Sequence, residues 1–417
     1  MSEIIGLNGG LRLAYMNIPY VHSVSVGVFV KTGSRNEVLE KNGIAHFTEH
    51  VMFKGTERRS AFQIVSETDA LGANVNAFTS KEMTAYYFQC IDDTVDACAD
   101  VLSDILLHSV FPAEELEKER GVILEEISMV EDTPDDLSQE NCSKAFWGED
   151  PLARPILGPA ENVKRFSADD VRAFVADHYV SENIVVAVCG NISRDRAIEL
   201  VYKYFDFPSR KENRALRSAP TAVGGRIESA IKDVEQANVT FAFPSFPYVS
   251  AETPAVAILS TALGGGMSSR LFQEIREKQG LVYSIYTFPA LYEDAGAFCL
   301  YFGTNPKKLR KAADGVRKCL STAALSGIDE EEFFRAKQQV RGALVMGEER
   351  CLTILRAMAK SALFKNEPYS VDKSLAEIEA VSLADVNALM PRVFDFARAG
   401  VGYVGRKPSF DLEEMIR

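Results

Sequence analysis

Apolar positions along this chain recur with two different periods. Ser23–Val30 alternates apolar with small or polar residues, which predicts a half-buried strand followed by a turn at Thr32-Gly33-Ser34. Beyond it Ile44, Phe47 and Val51 recur at helical spacing, with Asn42 as a cap and Gly55 as a left-handed stop, so a short amphipathic helix is expected. Ser60-Ala61-Phe62-Gln63 has the form of a capping box that opens a second helix ending near Gly72. Asn74–Thr79 and residues 85–90 read as paired strands across a polar turn. Residues 94–110 carry Val95, Cys98, Val101, Leu102, Ile105 and Leu106 in helical register, with His108 read as structural, and a long acidic helix follows from Ala113 to about Val130.

A helix opening at Ser167-Ala168-Asp169-Asp170-Val171 and reaching about His178 leads into an apolar strand, Ile184–Gly190. The chain then turns Arg-, Lys-, Asn-, Ser- and Pro-rich between Pro208 and Gly225, the composition of a linker. After it the pattern starts again. Ser382-Leu383-Ala384-Asp385-Val386 matches the Ser167 segment at an offset of 215 residues, and Gly405 stands at that offset from Gly190. Likewise Glu332-Phe333-Phe334-Arg335-Ala336-Lys337 resembles Glu115-Leu116-Glu117-Lys118-Glu119-Arg120. A duplicated domain is expected: 1–208, a linker at 209–226, and a second copy at 227–417.

Composition changes this picture little. With 417 residues the chain suggests two domains of roughly 200 residues each. It is 47% hydrophobic and 25% charged, an ordinary globular balance. A net charge of −13 argues against nucleic acid and anionic membranes as main partners, since both need a basic face. The first residues lack a basic region followed by an apolar core, and no apolar run approaches about 18 residues, so neither a secretory signal nor a membrane span is expected. Seven scattered cysteines without a Cys-x-x-Cys pair read as free thiols of a reducing cytoplasm, with one regulatory thiol as the lesser alternative.

The candidate chemistry lies in the first amphipathic helix. At about 100° per residue His46, Glu49 and His50 share one face, within an arc of roughly 100°. Two imidazoles at this spacing can reach one Zn²⁺ at roughly 2.0–2.1 Å, beside a carboxylate able to take a proton from water. The order His-x-x-Glu-His inverts the commoner zincin motif. The competing reading is a chance histidine pair on a solvated face, but the chain has only five histidines and two of them are here. In the acidic helix, Glu114, Glu115 and Glu117 read as a solvated face. Glu119 and Glu126, seven residues apart, stack beside an expected apolar stripe of Val122, Ile123 and Met129, where carboxylates need partners. Residue chemistry alone leaves Glu125 and Glu126 both open as a further ligand, although the seven-residue spacing favours Glu126. The second copy has Ala336 and Ala343 at the positions of Glu119 and Glu126, and no histidine follows His178.

These residues resemble the M16 metallopeptidases, the pitrilysin and mitochondrial-processing-peptidase family of inverzincins, over essentially the whole chain. The motif continues as His46-Phe47-Thr48-Glu49-His50-Val51-Met52-Phe53-Lys54-Gly55-Thr56, and the distal segment reads Glu119-Arg120-Gly121-Val122-Ile123-Leu124-Glu125-Glu126. The resemblance implies an α+β, M16/LuxS-like metallopeptidase fold of two homologous domains, each a mainly antiparallel sheet packed with helices. It implies one Zn²⁺ per chain on His46, His50 and Glu126, Glu49 as general base, and Glu119 as a supporting carboxylate. Arg276 and Tyr283, in Arg276-Glu277-Lys278-Gln279-Gly280-Leu281-Val282-Tyr283, match an Arg and Tyr that project from the metal-free domain and hold the substrate backbone. Read without the resemblance, the two are a surface ion-pair arginine and a sheet tyrosine. Gly264-Gly265-Gly266 lacks the Lys-Ser/Thr of a phosphate loop and reads as a tight turn. Asn76, Ala77 and Phe78 match the edge strand to which a peptide adds, which grips backbone and tolerates many sequences.

The expected activity is that of a zinc-dependent endopeptidase on short or unfolded peptides. A presequence-processing peptidase is the alternative, and less so a non-catalytic assembly subunit of the same fold. Having two such units rather than four, the chain resembles the members that assemble from two chains, so a homodimer is expected, or a heterodimer with a related chain.

Overall fold

A computed structural model describes residues 1–210 and 219–417. Residues 211–218 of the expected linker therefore lie outside the described residues. Contacts divide the chain into two compact units. The first gathers Met1–Ile127, the chain from Pro155 to the undescribed residues, and Met346–Asp372. The second gathers Ser128–Arg154, the chain after the undescribed residues as far as Val345, and Lys373–Arg417.

The first unit is built on a six-stranded mixed sheet of β1 (Glu3–Gly6), β2 (Arg12–Asn17), β3 (Ser23–Val30), β4 (Asn74–Thr79), β5 (Thr84–Ile91) and β6 (Ile184–Gly190), in the order β1-β2-β6-β3-β5-β4. Only β2 and β6 run parallel; the other neighbours are antiparallel. Helices α1 (Ile44–Met52), α2 (Ala61–Ala70), α3 (Val95–His108) and the turns of α4 (Ala113–Asp132) through Ile127 belong to this unit. One face of the sheet, with Val24, Val26, Val28, Tyr86 and Phe88, is buried with Phe47, Val51, Leu102 and Ile105 of these helices. The opposite face, with Phe29, Ala85, Tyr87 and Ala187, is covered by the helix Cys351–Phe364 through Ile354, Leu355 and Met358.

That second layer corrects the reading of β3. Its alternation predicts one wet face, yet seven of its eight residues are buried, because a helix more than three hundred residues away in sequence closes the other side.

The second unit repeats the plan with β7 (Arg226–Ile231), β8 (Ala237–Ser245), β9 (Val282–Leu291), β10 (Gly296–Thr304) and β11 (Gly400–Gly405), in the order β7-β11-β8-β10-β9. Its one parallel pair is β7 with β11. Strand for strand this is the first sheet without β1, so the duplication read from sequence is present as topology. Ser167 and Ser382, the matched residues, cap equivalent helices through the same reciprocal box with Asp170 and Asp385. The second face of this sheet is covered by the helix Pro134–Trp147, where Cys142, Phe146 and Trp147 pack with Ala242, Ala297 and Cys299. Among the described residues no helix is long and apolar enough to cross a membrane.

Candidate metal centre

α1 is fixed before its chemistry begins. Ile44, Ala45, Phe47, Val51 and Met52 are buried in the first core, each large side chain contributing about 1.5–3 kcal/mol of apolar burial. The expected cap is not the one used. Gly43 stands at the cap with φ 102°, and Asn42 turns away to donate to Glu37 at 2.7 Å and to the Pro155 carbonyl at 3.0 Å. The Glu37 carboxylate does the capping, accepting from the N–H groups of Gly43 at 2.8 Å and Ala45 at 2.7 Å. Burial pushes its pKa up to about 7, against the pull of its donors. Gly43 is required there for a second reason: a Cβ would meet the Leu157 carbonyl oxygen at 2.6 Å. Nor is Gly55 the residue that stops α1. The helix ends at Met52, and Gly55, at φ 127°, instead bridges to Ser60.

With α1 held, its polar face meets α4. Glu126 Oε2 lies 3.7 Å from His46 Nε2 and 3.6 Å from His50 Nε2. One donor atom from each of the three falls within 4.8 Å of the others. Donors around tetrahedral zinc at about 2.0–2.1 Å stand about 3.3 Å apart, and the two histidine–carboxylate distances exceed that by only a few tenths of an ångström. Two imidazole nitrogens and one carboxylate oxygen leave a fourth position open, the arrangement of a catalytic rather than a structural zinc. Burial, helped by the nearby His50, pushes the His46 imidazole down to about 3, leaving it neutral with a free lone pair near neutral pH. Glu125, on the neighbouring azimuth, is not in the cluster.

Around this trio stands a second set of contacts. Glu119 Oε2 lies 3.1 Å from His50 Nδ1, which as donor leaves Nε2 turned to Glu126. The other Glu119 oxygen pairs with Lys54 Nζ at 2.7 Å, two residues past the end of α1. Of the expected stripe beside Glu119 and Glu126, only Ile123 is buried, while Val122 and Met129 are exposed. The partners these carboxylates needed are His46 and His50 of α1 and Lys54 just beyond it.

Glu49 accepts a 2.5 Å hydrogen bond from Thr79 Oγ1 at the end of β4. Its pKa is raised by burial first and by the charge of Glu126, and held back by Thr79 and His50. A carboxylate whose pKa burial raises is a stronger proton acceptor than a free one. β4 is the outer strand of its sheet, with Asn76 exposed and Ala77 and Phe78 half-buried.

Arg276 and Tyr283 belong to the second unit. Arg276 closes a turn of π-helix, Phe272–Glu277, its guanidinium 4.5 Å from the centre of the Phe272 ring. Tyr283 sits on β9, an outer strand, and is 73% exposed. Sequence reasoning missed three supporting residues: Glu37, Lys54 and Thr79. Thr79 closes the expected strand and Lys54 follows the histidine motif, and neither position carries a chemical signal of its own. For Glu37 the only available signal was a carboxylate shortly before a helix that lacks a good cap.

Comparisons with known proteins follow the same lines. The family model for insulinase, peptidase family M16, matches residues 12–160, and that for the peptidase M16 inactive domain matches residues 165–340. The uncharacterized zinc protease YmxG of Bacillus subtilis is 37% identical over 402 residues, covering 96% of this chain and 98% of that protein. An uncharacterized zinc protease of Streptomyces coelicolor is also 37% identical, over 97% of this chain and 88% of its own. Among solved structures, the peptidase M16 inactive domain from Pseudomonas fluorescens superposes with a TM-score of 0.92 at 18% identity, covering 98% of this chain and 99% of its own. A protease from Helicobacter pylori superposes with a TM-score of 0.89 at 21% identity, over 97% and 99%.

Proposed function

The chain belongs to peptidase family M16, and on that premise we propose that it is a zinc-dependent endopeptidase acting on short or unfolded peptides, with one Zn²⁺ per chain on His46, His50 and Glu126. The observation that carries this reading is the convergence of the three donor atoms within 4.8 Å, beside a half-buried carboxylate of raised pKa. Zinc bound there supplies a Lewis acid for the scissile carbonyl and makes water acidic enough to lose a proton near neutral pH. Glu49 takes that proton and returns it to the leaving amine, while Thr79 fixes which way its carboxylate faces. Glu119, braced by Lys54, sets the His50 tautomer. The free edge of β4 around Asn76, Ala77 and Phe78 takes the peptide as an added strand, and Arg276 and Tyr283 bind substrate. A homodimer in the cytoplasm completes the proposal.

The test is cleavage of a mixed peptide library by the purified chain, before and after chelation and zinc return. Activity that chelation removes and zinc restores, and that Glu49→Gln abolishes while keeping its zinc, supports the reading. A Glu49→Gln protein as active as the natural chain would remove Glu49 from the base role.

A further inference from the structure

Resting on the reading of β4 as the strand that takes substrate, we propose that Arg356, with Phe78 and Tyr87, forms a subsite for a carboxylate side chain of the peptide. The geometry begins at the free edge. Ala77 gives its N–H to the side-chain Oδ1 of its own neighbour Asn76 at 2.8 Å, so this amide points away from β5. In an antiparallel ladder outward groups come from every second residue, which makes Val75, Ala77 and Thr79 the residues whose backbone an added strand would bond.

The side chains divide the same way. Thr79 reaches Glu49, and Val75 and Ala77 pack with the core under α1, so the odd-numbered residues face the metal helices. Phe78 faces the other side, with its ring 6.3 Å from that of Tyr87 and packed against the cluster of the helix Cys351–Phe364. A peptide residue aligned with Ala77 therefore turns its side chain toward the metal helices. Its neighbours turn theirs toward the Phe78 side.

What waits on that side is a cation held ready. The Arg356 guanidinium lies 5.4 Å from the Phe78 ring centre and 5.0 Å from that of Tyr87, and donates to the Tyr87 hydroxyl at 2.6 Å. Among the described residues no carboxylate pairs with it, and the residue is exposed. A guanidinium stacked on two rings has already lost much of its rotamer freedom and keeps N–H groups to spare for a planar, bidentate partner. An Asp or Glu side chain on the substrate strand is that partner. The peptide would gain an ion pair there without displacing one.

The experiment uses one peptide series cleaved by the natural chain, with Glu, Gln or Lys placed in turn at each position. The natural chain is expected to prefer Glu over Lys by about five- to tenfold in kcat/KM at one position, or at two positions separated by a single residue. Arg356→Glu should reverse that ratio at the same positions, and Arg356→Gln should bring it near one, with no change in preference elsewhere. A merely structural arginine would lower all peptides together. Cleavage with the Glu-to-Lys ratio unmoved in both variants overturns the subsite and leaves the peptidase reading standing. A natural chain that cleaves none of the peptides overturns that reading and the subsite with it. If Arg356→Glu fails to fold, Arg356→Gln alone decides.

Discussion

Replacing Glu37 by Ala probes whether α1 is held in place by one carboxylate. Glu37 is buried and accepts from the N–H groups of Gly43 and Ala45 and from the Asn42 amide. Asn42 keeps the Pro155 carbonyl after the change, so two backbone N–H groups lose their acceptor. An orphaned buried donor costs about 1–3 kcal/mol, which places the local loss at about 2–6 kcal/mol. The assay is amide hydrogen exchange along α1, because two units need not unfold as one and a global midpoint would blur a local effect. At about 1.4 kcal/mol per tenfold, α1 amides in Glu37→Ala should exchange at least about thirtyfold faster, with zinc affinity falling in parallel. Glu37→Gln keeps one carbonyl oxygen and should lose roughly half as much. The pH dependence has a definite sign. The folded-state value of about 7 lies above the ordinary 4.5, so the folded chain binds the extra proton between them, and the Glu37 contribution to α1 protection in the zinc-free protein declines as pH rises through that window, against the opposite slope of His46, which is held down to about 3. In Glu37→Gln that decline should vanish. Unchanged α1 exchange in Glu37→Ala would refute the capping argument.

Other consequences follow from the same contacts. Thr79→Val removes the hydroxyl that stabilises ionised Glu49, so the Glu49 pKa rises and the acidic limb of the kcat/KM profile should move to higher pH, with zinc content unchanged. Glu119→Gln weakens the hold on His50 and frees Lys54, and zinc affinity by competition with a chelator should fall by about 10- to 100-fold. Asp104 is fully buried and bonded to Thr56, Arg58 and Arg59, so Asp104→Ala should destabilise the first unit by about 3–5 kcal/mol, read as its shift in denaturant unfolding.

Local chemistry was legible and distant chemistry was not. The capping box expected at Ser60 depends on residues three apart and is formed, and the helix start expected at Ser167 and its repeat at Ser382 prove to be boxes of the same kind. The repeat of Ser167 in Ser382 carried over into two sheets of one strand order, because the same hydrophobic pattern folds the same way twice. The failures have a common cause. β3 is buried on both faces because a helix beginning at Cys351 covers it, and no window around Ser23 contains that information. Gly43 rather than Asn42 stands at the α1 cap because Glu37 and the crowding of Leu157 decide the matter through space. The seven-residue spacing put Glu119 and Glu126 on one side of α4, but the apolar stripe expected beside them is missing, with Val122 and Met129 exposed, and Lys54 as a partner of Glu119 had no signal in the sequence. Arg356 gave no sequence signal at all, since its meaning comes from Phe78 and Tyr87.

The measurement that bears most directly on the account is the zinc content of the purified chain beside two single substitutions on adjacent positions of α4. About one zinc per chain is expected for the natural protein and for Glu125→Ala, and a loss to well under one tenth of that for Glu126→Ala after mild chelation and dialysis. Full zinc in Glu126→Ala, or its loss from Glu125→Ala instead, would contradict the metal site on which everything else rests.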